Sequence, residues 1–364
     1  MNNLTLHFIN TIPWSNLNRD DTGTPKRAVI GGTLRAMLSS QSIKRAVRTD
    51  YELRSGDQSL RSTNLAGIIA NRACEINVEL DPKKALKDSE KLISALVKKE
   101  KTARPAVDES ESKEPGISSW LSAEEIETAA AAVAEDRLMV KAQGKEKLTE
   151  FVEPGKTGSL SIAAFGRMFA LAPEANTHAA VAVSPAIAVH KTIIETDYFS
   201  TVDDDPKASH AGASYLGLAS YTSGVFYRSI TIDRAQLRRA WTGHDSENAR
   251  EQLSLMVYSL VYGLPSGKKN VTAPYVQPLL VLSEEQAHRV AYDFETPVLA
   301  EADGGYGEQA VKTIAQQVEA ARAFDAANFG RSAVAGTSAA RLEIAAEQVD
   351  LDRLVANAVD WILA

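Results

Sequence analysis

"LTLHFIN", residues 4–10, sets a two-residue rhythm at the start of the chain. Leu4, Leu6 and Phe8 alternate with Thr5, His7 and Asn10, the pattern of a half-buried strand. A polar loop follows, "NLNRDDTGTPKRAVIGG", carrying Arg19, Lys26 and Arg27 and closing on Gly31 and Gly32. Then "LSSQSIKRAVR", residues 38–48, predicts a helix capped by Ser39 or Ser40, with Ile43, Ala46 and Val47 on its apolar side.

Between residues 57 and 165 strand character gives way to charged helical patterns. Asp81 and Pro82 open a helix with Leu86, Leu92, Ile93, Leu96 and Val97 at helical spacing, ending in "VKKEK". Residues 104–116 hold proline, serine and acids with almost nothing to bury, which predicts a loop. Ser122 with Glu125 forms a capping box for an Ala-rich helix through "EEIETAAAAVAEDRLMVKA". Strand character returns in "SLSIAAFGRMFAL" and in "HAAVAVSPAIAVHKTIIETD"; the second pairs with "SYTSGVFYRSITID", residues 220–233, as a long hairpin. Leu253, Met256, Val257, Leu260 and Val261 define a core helix stopped at Gly263 and Pro265, and amphipathic helices are expected near 308–327 and at the C-terminus. This order of elements fits an α+β, RRM-like or ferredoxin-like core decorated by insertions.

The bulk numbers are those of an ordinary soluble globular protein: 364 residues, 44% apolar, 24% charged. That length implies one large domain with a substantial insertion, or two domains. The single cysteine, Cys74, excludes an internal disulfide within the chain, so a reducing compartment, the cytoplasm, is expected. The first residues lack the pattern of a signal peptide, and no run approaches the ~20 apolar residues of a membrane span. Net charge −7 argues against indiscriminate nucleic-acid binding but leaves room for a local basic track.

Catalytic patterns are scarce. The six histidines show no metal-ligand spacing, and HExxH, CxxC and GxSxG are absent. "GLPSGKKN" falls short of a P-loop, because the glycine spacing is one residue short and Lys269 stands where a magnesium-binding hydroxyl belongs. Cys74 reads as a small core residue. Asp20, Asp21 and Asp203 to Asp205 have the hard oxygen donors of a divalent-ion site, although Asp-rich turns are more often solvated loop chemistry. No cofactor and no metal are expected.

The basic stretch has two readings. Lys44 and Arg48 share one helix face and Arg45 lies about a quarter turn away. With the positive end of the helix and hydrogen bonds from Ser39 or Ser40 and Gln41, they make a phosphate grip that holds a backbone without reading sequence. The alternative is a solvated face on a surface helix.

Six motifs occur in a fixed order: "LNRDD" (17–21), "IGG" (30–32), "SSQSIKRAVR" (39–48), "AAFGRM" (163–168), "DYFSTVDD" (197–204) and "SGVFYR" (223–228). Together they resemble the CasC family, the repeated backbone subunits of the type I-E CRISPR Cascade complex. That resemblance implies an RRM-like palm (1–56 and 166–364), a helical finger insertion (57–165) and a hairpin thumb at about 190–225. It implies a non-catalytic subunit of which copies line up head to tail along a CRISPR guide RNA, beside other Cascade subunits, and present the guide to a target DNA strand. No membrane partner is implied.

Carried over residue by residue, the family's guide contacts fall on Arg19, Ser39, Gln41, Lys44 and Arg48, and a related segment places Lys268 and Lys269 near RNA or a neighbouring copy. Met168 and Phe199 match side chains that wedge against bases, and Tyr198 stands where the best-known relatives have tryptophan. Met168 lies in an apolar run, which by itself reads as core. Lys98, Lys99, Lys141, Lys145 and Lys147 read as a solvated helix face, with DNA guidance the less favoured role. Related type III backbone subunits cleave RNA with a loop acid, so a metal-dependent ribonuclease using the loop aspartates is the rival.

Overall fold

The first strand spans Asn3–Ser15 in the computed structural model, which describes residues 1–57, 59–97, 118–142, 145–202 and 213–364. It pairs antiparallel with Leu280–Gln286 on one side and with the long strand Ala213–Asp233 on the other. Both edges are therefore bonded, and every residue from 3 to 10 is buried. The alternation pointed to a half-buried strand; in fact both faces are covered, and Thr5 and His7 find polar partners inside. Thr5 Oγ1 donates to Gln286 Oε1 (2.7 Å) and lies 2.9 Å from Thr231 Oγ1. His7 Nδ1 lies 3.0 Å from the Tyr227 hydroxyl and its Nε2 3.3 Å from Glu284 Oε2. Glu284 also accepts hydrogen bonds from Tyr292 (2.6 Å) and Arg322 (2.8 Å).

The chain forms two units: Met1–Tyr51, Ala182–Arg234 and Leu253–Ala364; and Glu52–Val181 with Ala235–Gln252. The first has the RRM-like α+β character expected from the order of elements. Its sheet runs Glu347–Gln348, Phe329–Ala335, Leu280–Gln286, Asn3–Ser15, Ala213–Asp233, Ala186–Ala188, Thr33–Leu38, Arg27–Ile30, and Glu195–Val202 pairs on the long strand outside that order. Ile9, Leu280 and Leu282 pack with Ala310, Val311, Ile314 and Val318 of the helix Gly307–Phe324.

The long strand is locked to the helix Ala249–Tyr262 through Arg228. This guanidinium is 1% exposed and donates to the carbonyls of Leu260 (3.1 Å), Val261 (2.7 Å) and Gly263 (3.2 Å). Its cationic carbon lies 4.4 Å from the centroid of the Phe8 ring. Burial pulls its pKa down to about 10, leaving it charged at neutral pH against the negative end of the helix dipole.

In the second unit, helices Leu65–Ile76, Pro82–Leu96 and Ala123–Ala134 pack around Leu65, Ile69, Leu92, Leu121 and Val133. Asp81 caps the second, and Ser122 and Glu125 form the expected capping box on the third. That helix is shorter than its composition suggests. It ends at Ala134, Asp136 takes a left-handed φ of 53°, and Met139–Ala142 pairs as a strand with Lys145–Leu148. A second correction concerns "SLSIAAFG", which forms the helix Leu160–Phe165 rather than a strand. Ser159 caps it, Gly166 ends it, and residues 160–164 are buried all round, so no helical period is visible. Cys74 is half-buried beside this core. No helix among the described residues is long and apolar enough to cross a membrane.

Two outcomes follow from these networks. Arg228→Met should destabilise folding by roughly 3 kcal/mol in denaturant titrations, because three helix-end carbonyls lose their donor. Burial raises the pKa of Glu284, but His7, Tyr292 and Arg322 outweigh it and bring the carboxyl from 4.5 to about 2. A carboxyl depressed in the folded state contributes stability above its unfolded pKa, and that stability is lost as pH falls through the folded value. Glu284→Gln should therefore flatten the loss of stability between pH 4.5 and 2, measured by unfolding at each pH.

Candidate nucleic-acid interface

The helix Ser40–Ser55 buries Ile43, Val47 and Tyr51. Gly263 permits its close approach to the preceding helix: a Cβ there would lie 2.6 Å from Val47 Cγ2 and 2.5 Å from the Ser259 carbonyl. Ser259 Oγ also donates to Asp50 Oδ2 (2.8 Å). Of the two serines left open by the sequence, Ser39 is the cap. Its hydroxyl accepts from Ser42 N–H (3.3 Å), and its carbonyl accepts from Ile43 N–H (3.0 Å). The Ser39 hydroxyl hydrogen stays available to donate. The first turn contains no acid, so the positive end of the helix has no local counter-charge from its own sequence. Around it Gln41 and Arg45 are exposed and Lys44 and Arg48 half-buried.

Two hydrogen bonds join the segments that carry the other cations to this helix end. Ser39 N–H donates to Asn18 Oδ1 (2.8 Å), and Gly267 N–H donates to the Leu17 carbonyl (3.1 Å). Residues 17 and 18 thus lie between the capped helix and the turn carrying Lys268 and Lys269, with exposed Arg19 next in the chain. A Cβ at Gly267 would sit 2.5 Å from the Leu17 carbonyl, so the turn meets this loop backbone to backbone. Lys268 adopts φ 50°, ψ 22°, and its ammonium lies 5.0 Å from the Tyr221 ring centroid. Lys269 opens the short helix Lys269–Thr272 and is exposed. The structure therefore joins the loop that precedes Arg19 both to Ser39 at the start of the helix that carries Gln41, Lys44, Arg45 and Arg48 and to the turn that carries Lys268 and Lys269. Asn18 and Gly267, which make these two links, were not singled out in the sequence; only their nearness to Arg19 and Lys268 hinted at them.

The loop acids behave differently. Asp20 Oδ1 accepts from Thr22 N–H (3.0 Å), Thr22 Oγ1 (2.7 Å) and Thr24 N–H (3.0 Å). The Thr22 hydroxyl is the main cause that holds the Asp20 carboxyl below its ordinary range. Asp21 is exposed, and Asp203, Asp204 and Asp205 lie outside the described residues. No group of three or more metal-ligating side chains occurs among the described residues. Lys98, Lys99 and the loop 104–116 are also outside them, and Lys141, Lys145 and Lys147 fall in the strand pair noted above.

Beyond Thr222 the long strand leaves the first strand and pairs only with Glu195–Val202, making a projecting hairpin. Tyr198 lies opposite Leu218, and Phe199 opposite Gly217. Tyr198 is 62% exposed, Leu218 72% and Phe199 41%. The Phe199 ring lies across the glycine, for a Cβ at 217 would come within 2.4 Å of Phe199 Cζ. In the second unit Met168, which its apolar neighbours assign to the core, is 80% exposed. Arg167 and Phe169 on either side turn inward, and Arg167 forms a buried ion pair with Glu125. Successive residues of an extended segment alternate, so Met168 must point out.

A family model described as "CT1975-like protein" matches residues 4–361. Among solved structures, a chain from "CRISPR RNA-guided surveillance complex, pre-nicking" is 29% identical, with a TM-score of 0.79 over 99% of this chain and 100% of that one. A chain from "CRISPR RNA-guided surveillance complex" is 26% identical, with a TM-score of 0.69 over 99% of each chain. Curated proteins yield no match.

The Phe199–Gly217 contact gives a direct test of the hairpin's surface. Gly217→Val should swing the Phe199 ring aside at a cost below ~1 kcal/mol. In protein labelled at phenylalanine the Phe199 ring resonances should shift, while the unfolding midpoint stays nearly unchanged.

Proposed function

The chain belongs to the CT1975-like protein family, and from that membership we propose that it is a guide-RNA-binding backbone subunit of a CRISPR surveillance complex, of the Cascade type I-E CasC kind. The observation that supports this reading is the joining of the Leu17–Asn18 segment to the acid-free start of a capped helix and to the Gly267 turn, segments that carry Arg19, Lys44 and Lys268, in a chain alike over nearly its whole length to chains of such complexes. The subunit grips phosphate and ribose and performs no chemistry of its own. Sequence specificity belongs to the guide, as in other RNA-guided systems.

In this reading copies follow one another head to tail along the RNA. A heterologous interface that does not close on itself produces an open row, which suits a linear guide. Residues 57–165 form the finger insertion, and the hairpin at about 190–225 is the thumb. Tyr198 and Phe199 on the hairpin, and Met168, wedge against bases where guide pairs with target DNA. Their exposure supports that role, because large apolar side chains left in water commonly mark contact surfaces.

A double substitution, Arg19→Ala with Lys44→Ala, should weaken binding of single-stranded RNA by at least about tenfold whatever the RNA sequence. The slope of log affinity against log salt should fall by about 0.7 for each lost phosphate contact. A folded double variant with unchanged affinity and slope would defeat the assignment.

A further inference from the structure

Trp14 has no part in the grip described above, yet it occupies an unusual place. The ladder between the first and long strands runs in step from Asn3↔Asp233 to Ile12↔Gly224 and resumes at Ser15↔Thr222. Pro13 and Trp14 therefore face a single residue, Ser223, across a bulge. Bulges re-aim side chains, and proline, lacking an N–H, suits an unpaired position. Upstream of the bulge the strand is almost wholly buried; Trp14 is 38% exposed.

The indole is also held in one orientation. Its ring stacks on Tyr221, with centroids 3.8 Å apart and planes 25° from parallel, while Tyr221 itself is 3% exposed. The Lys268 ammonium lies 5.0 Å from the same Tyr221 ring. Behind the bulge, Asn16 Nδ2 donates to the carbonyls of Ser220 (2.8 Å) and Gly23 (2.9 Å), fastening the loop to the base of the hairpin. Trp14 thus stands between the cation-bearing loop and the point where the hairpin leaves the sheet. Its exposed part is a rigid, apolar surface beside charges that hold a phosphate backbone.

We propose that Trp14 is a stacking platform for one unpaired nucleobase of the single-stranded RNA whose phosphates the adjoining cations hold. The inference rests on the RNA-binding reading above and adds a contact to the base rather than to the backbone. An indole accepts any base on its face, so the contact strengthens binding without selecting sequence. It also fixes the phase of the strand: one nucleotide parks on Trp14 while its flanking phosphates reach Lys268 and the capped helix.

The test uses the full chain with two probes of equal length, an oligouridylate and the same ribose-phosphate strand without bases. Trp14→Phe is a conservative change at a half-exposed position, and subtracting its emission from that of the wild type isolates the Trp14 fluorescence. That signal should be quenched by oligouridylate and left alone by the abasic strand. Trp14→Leu should bind oligouridylate about tenfold more weakly, with its salt slope intact and its affinity for the abasic strand unchanged. Equal quenching by both strands, or quenching by neither while both bind with the salt slope of the grip, overturns the platform and leaves the phosphate grip standing. Absence of binding to either strand overturns both. Should Trp14→Leu fail to fold, the fluorescence comparison alone decides.

Discussion

A buried guanidinium organises the first unit. Arg228 ties the long central strand to the C-terminal end of the helix Ala249–Tyr262 by three carbonyl acceptors, and that helix end in turn positions everything beside it. Gly263 brings it against Val47, and Ser259 holds Asp50, so the helix Ser40–Ser55 takes its place from the same contact. From there Ser39 reaches Asn18, and the loop at Leu17 reaches Gly267. The segments that carry these cations are thus placed by a chain of interactions that begins inside the protein, where a charge has exchanged water for helix-end dipoles.

How much of this was legible beforehand depends on the kind of signal each residue gives. Periodic and capped elements were readable: the first strand, the helix behind Asp81 and the capping box at Ser122 and Glu125 follow from local rules, whereas the hairpin joins 195–202 to 213–221 rather than 178–197 to 220–233, because residues 222–233 pair with the first strand. The buried helix Leu160–Phe165 was misread because a segment buried on every side has no period to show. The segment "SSQSIKRAVR" was legible as a capped helix bearing cations, since capping residue and charges are adjacent in the chain. The joining of this helix to the segments beside Arg19 and Lys268 was not, because it runs through a side-chain to backbone bond, Asn18 to Ser39, and a backbone bond, Gly267 to Leu17, between residues distant in the chain.

Side-chain direction was the other hidden quantity. Arg35, Arg167 and Arg228 look like surface charges in the sequence, yet all are buried against carbonyls or a carboxylate. Arg35 donates to the carbonyls of Ala188, Phe294 and Glu295. Met168, Tyr198 and Leu218 show the reverse, apolar side chains turned outward. Counting charges therefore misjudges this surface twice over. Some of the positive charge behind a net value of −7 is sealed in the interior, so what remains outside acts through position rather than abundance.

The strand Ala213–Asp233 serves both the sheet and the hairpin. At ~3.3 Å per residue its 21 residues extend roughly 70 Å, and the inner half is clamped by ladder bonds on both edges. Mechanically it is a cantilever: one end is built into the core, the other carries Tyr198 and Phe199 through its partner strand. A load applied at the free end travels along a two-stranded arm to a root fixed on both edges. The arm has one partner strand and the root has two, so any yielding is confined to the arm while the root keeps its place in the sheet.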